Sequence, residues 1–586
     1  MFLTKTTTTI RGKTYTHFKV VESFREAGHV KHRVLFSLGS LNDEQAQRVR
    51  AALAAGRGED WVHARFEDIV VTNHAAYLDV AVGHQLWQAG GWPEFWGSHG
   101  FWVEALVLNR LIEPQAKIHL QSWVTETAIP AYYGVTPATL DPFAVYRILD
   151  QMAARETEVH EWLAAHLPTT DLGPAPTFFY DLTSTYVDGT TCPLAKPGYS
   201  REHRPDRTQI VIGLVITHTG YPVYWQVWPG NTPDVSTVQS VVADLQVRLG
   251  LGPCTLVFDR GMVSAANLAA LDEAGHTYLS TVDRDELTQL TFWSSAWPEA
   301  VPTASWRDAV HARGMQPSDE TDELWFREFR DEGRRWVMAF DHRRFELEMA
   351  VQAAALTLVQ QWVKKKNAEL AAARRARPAA PIDRALQDLL RRKHLQSIQG
   401  YRLQPKSVTI STARGNRTVS TWEIVLTLND AARRAAQRLF GVTCFQTNGT
   451  EDHLSGAAII TWYRRKNRVE EAFPEIKSPL ALRPLYVSRP ERIRAHVMVC
   501  MLAYALYNTM EERLRRHHRA ESPATVFHAL RSGQINRLQV KTTQQTHVTA
   551  TTPSPAQVAY VDAVECDTVL TDRTLKPILH AMESWL

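Results

Sequence analysis

Three carboxylates in this chain stand where their neighbours make an acid costly or give it a task, and each asks for a chemical reason. Asp181 lies inside PTFFYDLTSTYV (176–187), between Phe179 and Leu182, where an unpaired carboxylate is unfavourable unless a cation or donors meet it. Asp259 ends the apolar run CTLVFD (254–259) and precedes Arg260 and Gly261. That suits a backbone turning at the C-terminal edge of a strand, where open α/β sheets bind ligands. Glu470 lies in TWYRRKNRVEEAFPEIK (461–477), read as one helix unless Pro474 breaks it near its end. On such a helix Tyr463, Lys466, Glu470 and Lys477 have offsets of three, seven and fourteen, within roughly one sixth of a turn. A stripe of this kind suits phosphodiester chemistry: the acid binds metal, and the lysines and phenol hold phosphates.

Three acids from separate parts of a chain can hold two divalent cations about 3.5–4 Å apart, one activating water and the other stabilising the leaving oxygen. An all-oxygen ligand set suits Mg²⁺, with Mn²⁺ also compatible. No protein nucleophile is then needed, and no G-x-S-x-G, P-loop or G-x-G-x-x-G motif points elsewhere. Any one of these acids alone reads as a surface or strand-end carboxylate in an ion pair; the three together, with a spaced basic signature, do not. Asp188, Asp206, Asp283 and Asp285 read as turn or capping residues, and Asp234 as a helix N-cap. His203 and His218 fall in loops and are given no role. Trp293, Trp297 and Trp306 read as core residues rather than as a stacking platform for an extruded base.

The elements that must position these groups are legible in outline. Residues 14–39 are strand-rich, Asp43–Leu53 is helical, and 75–167 carries helical periodicity punctuated by Pro114 and Pro142. Strands follow at 176–187, Thr208–Thr217 and Pro222–Val227, the last two joined by a turn at Gly220. A helix over Val235–Leu249, a strand at 254–259, a helix over Ser264–Ala274 and a strand at 276–281 complete the order β, β, β, α, β, α, β. From about 285 to 450 this regularity stops. A tryptophan-rich stretch leads into a helical region (344–396) divided by Pro378 and Pro381, then a hairpin (407–412 with 418–428, around an Arg414–Asn416 turn) and a strand at 443–447. A charged helix (457–476) and an apolar one (491–514) follow. The Thr/Gln-rich tail from 536 is weakly patterned and expected to be partly disordered.

YDLTSTYV, VFDRGM and YRRKNRVEEAFPEIK together resemble the DDE transposases of bacterial insertion sequences, in the group with a Tyr-x2-Arg-x3-Glu-x6-Lys signature (insertion sequence 4 type). Here the signature reads Tyr463, Lys466, Glu470, Lys477, with Lys in place of Arg, which keeps the charge but loses a bidentate fork. Phe473 matches the E-x-x-F continuation, so Glu470 is chosen over Glu471. The resemblance covers about residues 15–510. It implies an α/β fold with a ribonuclease-H-like catalytic core, interrupted by a large inserted α+β domain and preceded by a mostly helical N-terminal domain. The 211 residues between Asp259 and Glu470 (470 minus 259) leave room for that insertion. The expected segments are 1–170 for DNA-end binding, 171–285 and 451–535 for the core, 286–450 for the insertion, and 536–586 for the tail. The implied activity is Mg²⁺-dependent cleavage at terminal inverted repeats and joining of 3′ hydroxyls to target DNA. Asp181, Asp259 and Glu470 would ligate metal, Tyr463, Lys466 and Lys477 would hold double-stranded DNA, and a homodimer would form on the DNA. A ribonuclease-H-like nuclease without strand transfer, or a non-catalytic DNA-binding descendant, would share much of this pattern.

Bulk properties agree with a folded enzyme and narrow it little further. The 586 residues are 44% hydrophobic and 22% charged, enough for several domains. A net charge of +3 is too mild to argue for a polyanion partner by itself. Basic runs at 364–366, 374–377, 391–393 and 513–519 each read as solvated helix faces, and only 464–468 escapes that reading through its place in the signature. The five cysteines are widely spaced without zinc-ligand patterns and read as buried thiols. MFLTKTTTTIRGK lacks the apolar core of a signal peptide and no stretch is long enough to span a bilayer, so a cytoplasmic, nucleoid-associated location is expected.

Overall fold

Threonine, valine and phenylalanine dominate the start of the chain, and such side chains favour a pleated surface. The computed structural model describes residues 1–55, 64–141, 143–167, 176–189, 191–202, 204–297, 300–318, 321–331, 333–413 and 415–586. In it β1 (Phe2–Ile10), β2 (Lys13–Glu26) and β3 (His29–Gly39) form an antiparallel sheet in that order. Its two hairpins turn at Arg11-Gly12 and Ala27-Gly28, all four residues at positive φ, as two-residue turns between twisted strands require. A helix (Asp43–Ala55), β4 (Ile69–Ala76) and a run of helices including Leu78–Ala89 and Gly100–Ile112 follow. The chain divides into two units: Met1–Pro142 with Arg513–Leu586, and Phe143–Glu512.

The second unit is organised on one large sheet. β5 (Thr177–Tyr186), β6 (Gln209–Thr217) and β7 (Pro222–Pro229) form an antiparallel meander. β8 (Thr255–Phe258) then lies parallel to β5, and β9 (Thr277–Thr281) parallel to β8. The connection from β7 to β8 is not the single helix read from periodicity. A 3₁₀ turn (Asp234–Ser236), an α-helix (Val238–Ala243) and a π-helical turn (Asp244–Arg248) replace it.

The stretch that breaks the sequence pattern divides in two. β10 (Gln316–Pro317), β11 (Leu324–Asp331) and β12 (Arg334–Asp341) extend the same sheet. The helices His342–Ala371 and Ala379–Arg392 pack with β13 (Gln399–Thr412) and β14 (Gly415–Leu428) around Val359, Leu386 and Ile424, a separate apolar core. β15 (Val442–Thr447) returns between β12 and β9, so the sheet runs β10-β11-β12-β15-β9-β8-β5-β6-β7. Trp293 and Trp297 are buried with Trp336 and Phe340 against this extension, and Trp306 packs beside them, as core residues.

Two expectations are corrected. The tail is ordered: β16 (Gln534–Val540) pairs with β4 on one side and with β17 (Thr546–Ala550) on the other, and helices Pro555–Ala563 and Asp572–Glu583 follow. Its polar composition hid this, because the pairing supplies the backbone bonds of the strands and the buried residues, among them Ile535, Val548, Val561, Val569 and Met582, are spaced out between polar ones. The segment 457–476 is not one helix either. It forms Gly456–Arg465 and Asn467–Lys477, meeting at Lys466, while Pro474 is accommodated inside the second. The Arg414 turn residue, Pro142, His203 and the expected boundary at 170 lie outside the described residues.

Register decides what faces where. Tyr180 pairs with Phe258 across β5 and β8, and both point into the core with Phe178, Leu182 and Val238. Side chains alternate along a strand, so Asp181 and Asp259, one residue on, share the opposite face. Gly213, opposite Leu182 on β6, is tightly enclosed there: a Cβ would lie 2.6 Å from Trp228 and 3.1 Å from Leu182. Gly213→Val is expected to destabilise the protein by about 1–3 kcal/mol through overpacking, whereas Gly252→Ala, with nothing within 4 Å of its Cβ, changes little. Chemical denaturation of the two variants measures the difference.

Candidate active site

The face that carries Asp181 and Asp259 is covered by the helix Asn467–Lys477, which packs on β5 and β6. That helix is fixed from its outer side. Arg468 pairs with Glu511 and its Nε lies 3.4 Å from the Thr219 carbonyl, which also accepts from Asn508 at 3.1 Å. Gly220, at φ +99°, permits this approach, since a Cβ there would meet Arg468 and Asn508 at 2.8 Å. The β6–β7 turn thus sets the height of the helix over the sheet.

Lys466, at the junction of the two helices, is the centre of the cluster. Its ammonium is buried, 2.9 Å from Asp259 Oδ1 and 2.6 Å from Glu470 Oε1. Tyr463 donates to Asp259 Oδ1 at 3.3 Å and lies 3.0 Å from the Thr281 hydroxyl on β9. Asp181 accepts from the Leu182 N–H at 2.7 Å and interacts electrostatically with Lys466, Asp259 and Glu470. Asp181, Asp259, Glu470, Tyr463 and Lys466 therefore come together. Lys477 does not join them. Its ammonium, 11% exposed, lies 3.0 Å from Glu202, which also binds Arg483 at 2.7 Å.

Burial pushes the Asp181 carboxyl up to about 6, against the pull of Lys466 and the Leu182 N–H and with Asp259 and Glu470 adding to the rise. Burial opposes the charge on Lys466, but Glu470, Asp259 and Asp181 outweigh it and hold the ammonium above the usual lysine range. Burial likewise raises Tyr463 and lowers Lys477.

Sequence reasoning passed over the residues that brace this site. One guanidinium nitrogen of Arg201 donates to both carboxylate oxygens of Asp234, each at 2.6 Å. Asp234 is therefore an ion-pair partner and not the expected N-cap, a position taken by Pro233. Asp283 does cap a helix, accepting from Glu286 at 2.7 Å, and pairs with Arg260. His218 stacks edge-on against Trp462. Glu202, Arg201 and Arg468 carried no signal beyond charge, because their partners are distant in sequence.

The transposase DDE domain model matches residues 180–506, more than half of the 586 residues and spanning all three acids. The chain belongs to the DDE transposases. Residues 3–60 also match the N-terminal domain of IS1634 family transposases. No curated protein matches the chain. Among solved structures, the cryo-EM piggyBac transposase synaptic complex with hairpin DNA is similar at a TM-score of 0.33 and 10% identity, over 82% of this chain and 74% of that one.

DDE transposases are DNA-cutting and DNA-joining enzymes that generally use divalent metal ions. The residues gathered here fit such ions: three carboxylates of hard oxygen character, among them the half-buried Asp181. Among the described residues no three His, Cys, Asp or Glu side chains are already gathered closely enough to hold a metal. Lys466 Nζ lies between Asp259 and Glu470 and bridges the two carboxylates. No helix among the described residues is long and apolar enough to cross a membrane.

The unfolded chain releases the Asp181 proton in the ordinary carboxylate range, whereas the folded protein keeps it to about 6. Stability therefore falls as pH rises through that interval and stays reduced above it. In chelator, Asp181→Asn is expected to stabilise the protein by roughly 2 kcal/mol at about pH 7.5 and to lose the advantage by about pH 4. Thermal melts at the two pH values test this; an equal effect at both would remove burial of the charge as the cause.

Proposed function

We propose that this transposase binds the terminal inverted repeats of a mobile element, cleaves the DNA at the element ends and joins the freed 3′ hydroxyls to target DNA. The convergence of Asp181, Asp259 and Glu470 around Lys466 carries the proposal. Strands β5 to β9, in the order β7-β6-β5-β8-β9 with the last three of that order parallel, support a ribonuclease-H-like core split by the insertion at 286–450. Residues 171–285 and 451–535 supply that core in this reading, 1–170 read the DNA ends, and 536–586 form the tail. Tyr463, Lys466, Glu470 and Lys477 are its form of the Tyr-x2-Arg-x3-Glu-x6-Lys signature.

In this reading Asp181, Asp259 and Glu470 hold Mg²⁺ or Mn²⁺. Bound there, the ions supply an activated water or 3′ hydroxyl and stabilise the leaving oxygen. The chain's own groups do the remaining work. Tyr463 fixes the Asp259 carboxylate through its hydroxyl, and Thr281 fixes Tyr463. Lys466, freed from Asp259 and Glu470, is within side-chain reach of a phosphate brought to those acids. Lys477, tied to Glu202, acts from behind by holding the segment that carries Arg201, and touches DNA only if that pair opens. Two element ends must be held together for transposition, so the working form is a dimer on DNA.

Removal of a metal ligand should cost more than removal of a supporting group, which typically costs 10–100-fold. Asp181→Ala, Asp259→Ala and Glu470→Ala are each expected to reduce Mn²⁺-dependent cleavage and strand transfer on inverted-repeat duplexes by more than about 100-fold. Glu471→Ala should retain activity, since that side chain is 65% exposed and lies 3.5 Å from Arg468. Loss in Glu471→Ala with Glu470→Ala intact would overturn the third acid. Cleavage without joining would reduce the function to that of a nuclease.

A further inference from the structure

The first 21 residues hold Lys5, Arg11, Lys13 and Lys19 and no acid, so they alone exceed the net charge of +3 of the whole chain. Their fold is as distinctive as their charge. β3 pairs with β2 only from Phe18 onward, so Thr6–Ile10 and Lys13–His17 form a two-stranded ribbon without a third strand. Every residue from Lys5 to Tyr15 is exposed. At about 3.4 Å per residue the ribbon projects roughly 17–20 Å.

The opposite hairpin gives the comparison. There Lys31 meets Glu26 at 2.7 Å and Arg33 meets Glu22 at 2.7 Å. Among the described residues no such pair engages Lys5, Arg11 or Lys13. The β1–β2 ribbon thus holds unbalanced charge at its base and tip, and between them a band of threonines, Thr7 opposite Thr16 and Thr9 opposite Thr14, with Thr6 and Thr8 opposite His17 and Tyr15.

We propose that the β1–β2 ribbon enters the major groove of duplex DNA. A two-stranded ribbon matches the width of that groove. Lys5, Arg11 and Lys13 meet phosphates, while threonine hydroxyls and methyls reach base edges and thymine methyls. Single-stranded nucleic acid is a poorer occupant, because a stacking platform needs several aromatics and Tyr15 is the one Phe, Tyr or Trp from Lys5 to His17. This deepens the transposition reading and rests on it for the identity of the polyanion.

The test uses the full chain and a mixed-sequence 30-base-pair duplex. Lys5→Gln/Arg11→Gln/Lys13→Gln, all on exposed positions, is expected to raise Kd about 100-fold near 0.1 M salt and to lower the salt slope by about 2.7. Lys31→Gln/Arg33→Gln, on the matched hairpin, should stay within about twofold of the parent. A duplex whose cytosines carry bulky 5-substituents filling the major groove should lose affinity for the parent and not for the triple variant. An unchanged Kd in the triple variant, with cleavage intact, overturns the proposal, as does a triple variant whose change is confined to its sedimentation, which would make the ribbon a protein contact. Ribbon-dependent binding by a parent that never cuts DNA supports the ribbon and sinks the transposition reading instead.

Discussion

One buried ammonium holds the candidate site together. Asp181, Asp259 and Glu470 come from two strands and a helix, and three carboxylates gathered on one face repel one another unless a cation lies among them. Lys466 supplies it, bonding Asp259 and Glu470 directly and acting on Asp181 through space. The two helices meet at Lys466, whose backbone stays in the right-handed helical region, so the lysine keeps its i, i+4 bond to Glu470 while it also reaches Asp259.

The rest of the second unit serves to deliver those acids to that lysine. Parallel pairing of β5 with β8 puts Asp181 beside Asp259 on one face, and the β6–β7 turn, through Thr219 and Gly220, clamps Arg468 and so the helix that carries Glu470. At the C-terminal end of the same helix Glu202 binds Lys477 and Arg483, tying the segment after β5 to the helix end.

The strands, and the positions of the three acids on them and on the later helix, were legible because both leave local marks. β-branched runs flank Asp181 and Asp259, and the offsets of Tyr463, Lys466 and Glu470 are written in consecutive residues. What could not be read depends on partners far apart in sequence. Lys477 shares the helical spacing yet turns to Glu202, 275 positions earlier (477 minus 202), and Asp234 looks like a cap yet meets Arg201. Ordering of the tail needed β4, more than 450 residues away, and the part of the insertion that joins the main sheet was disguised because β15 returns only after a hairpin and two long helices. Periodicity reports the face of an element and is silent about which face it meets.

The distribution of charge also separates catalysis from capture. Around the acids nearly every cation is already matched: Arg464 to Asp341, Lys466 to Asp259 and Glu470, Arg468 to Glu511, Lys477 to Glu202. Three carboxylates against one central ammonium leave the site negative, which disfavours a DNA phosphate until divalent charge is added. In the proposed function, phosphate engagement at the acids and loading of metal would then be coupled by electrostatics, each strengthening the other. A surface that is to hold DNA before that loading must carry its own unmatched cations. Lys5, Arg11 and Lys13, all exposed and without an ion-pair partner among the described residues, are cations of that kind.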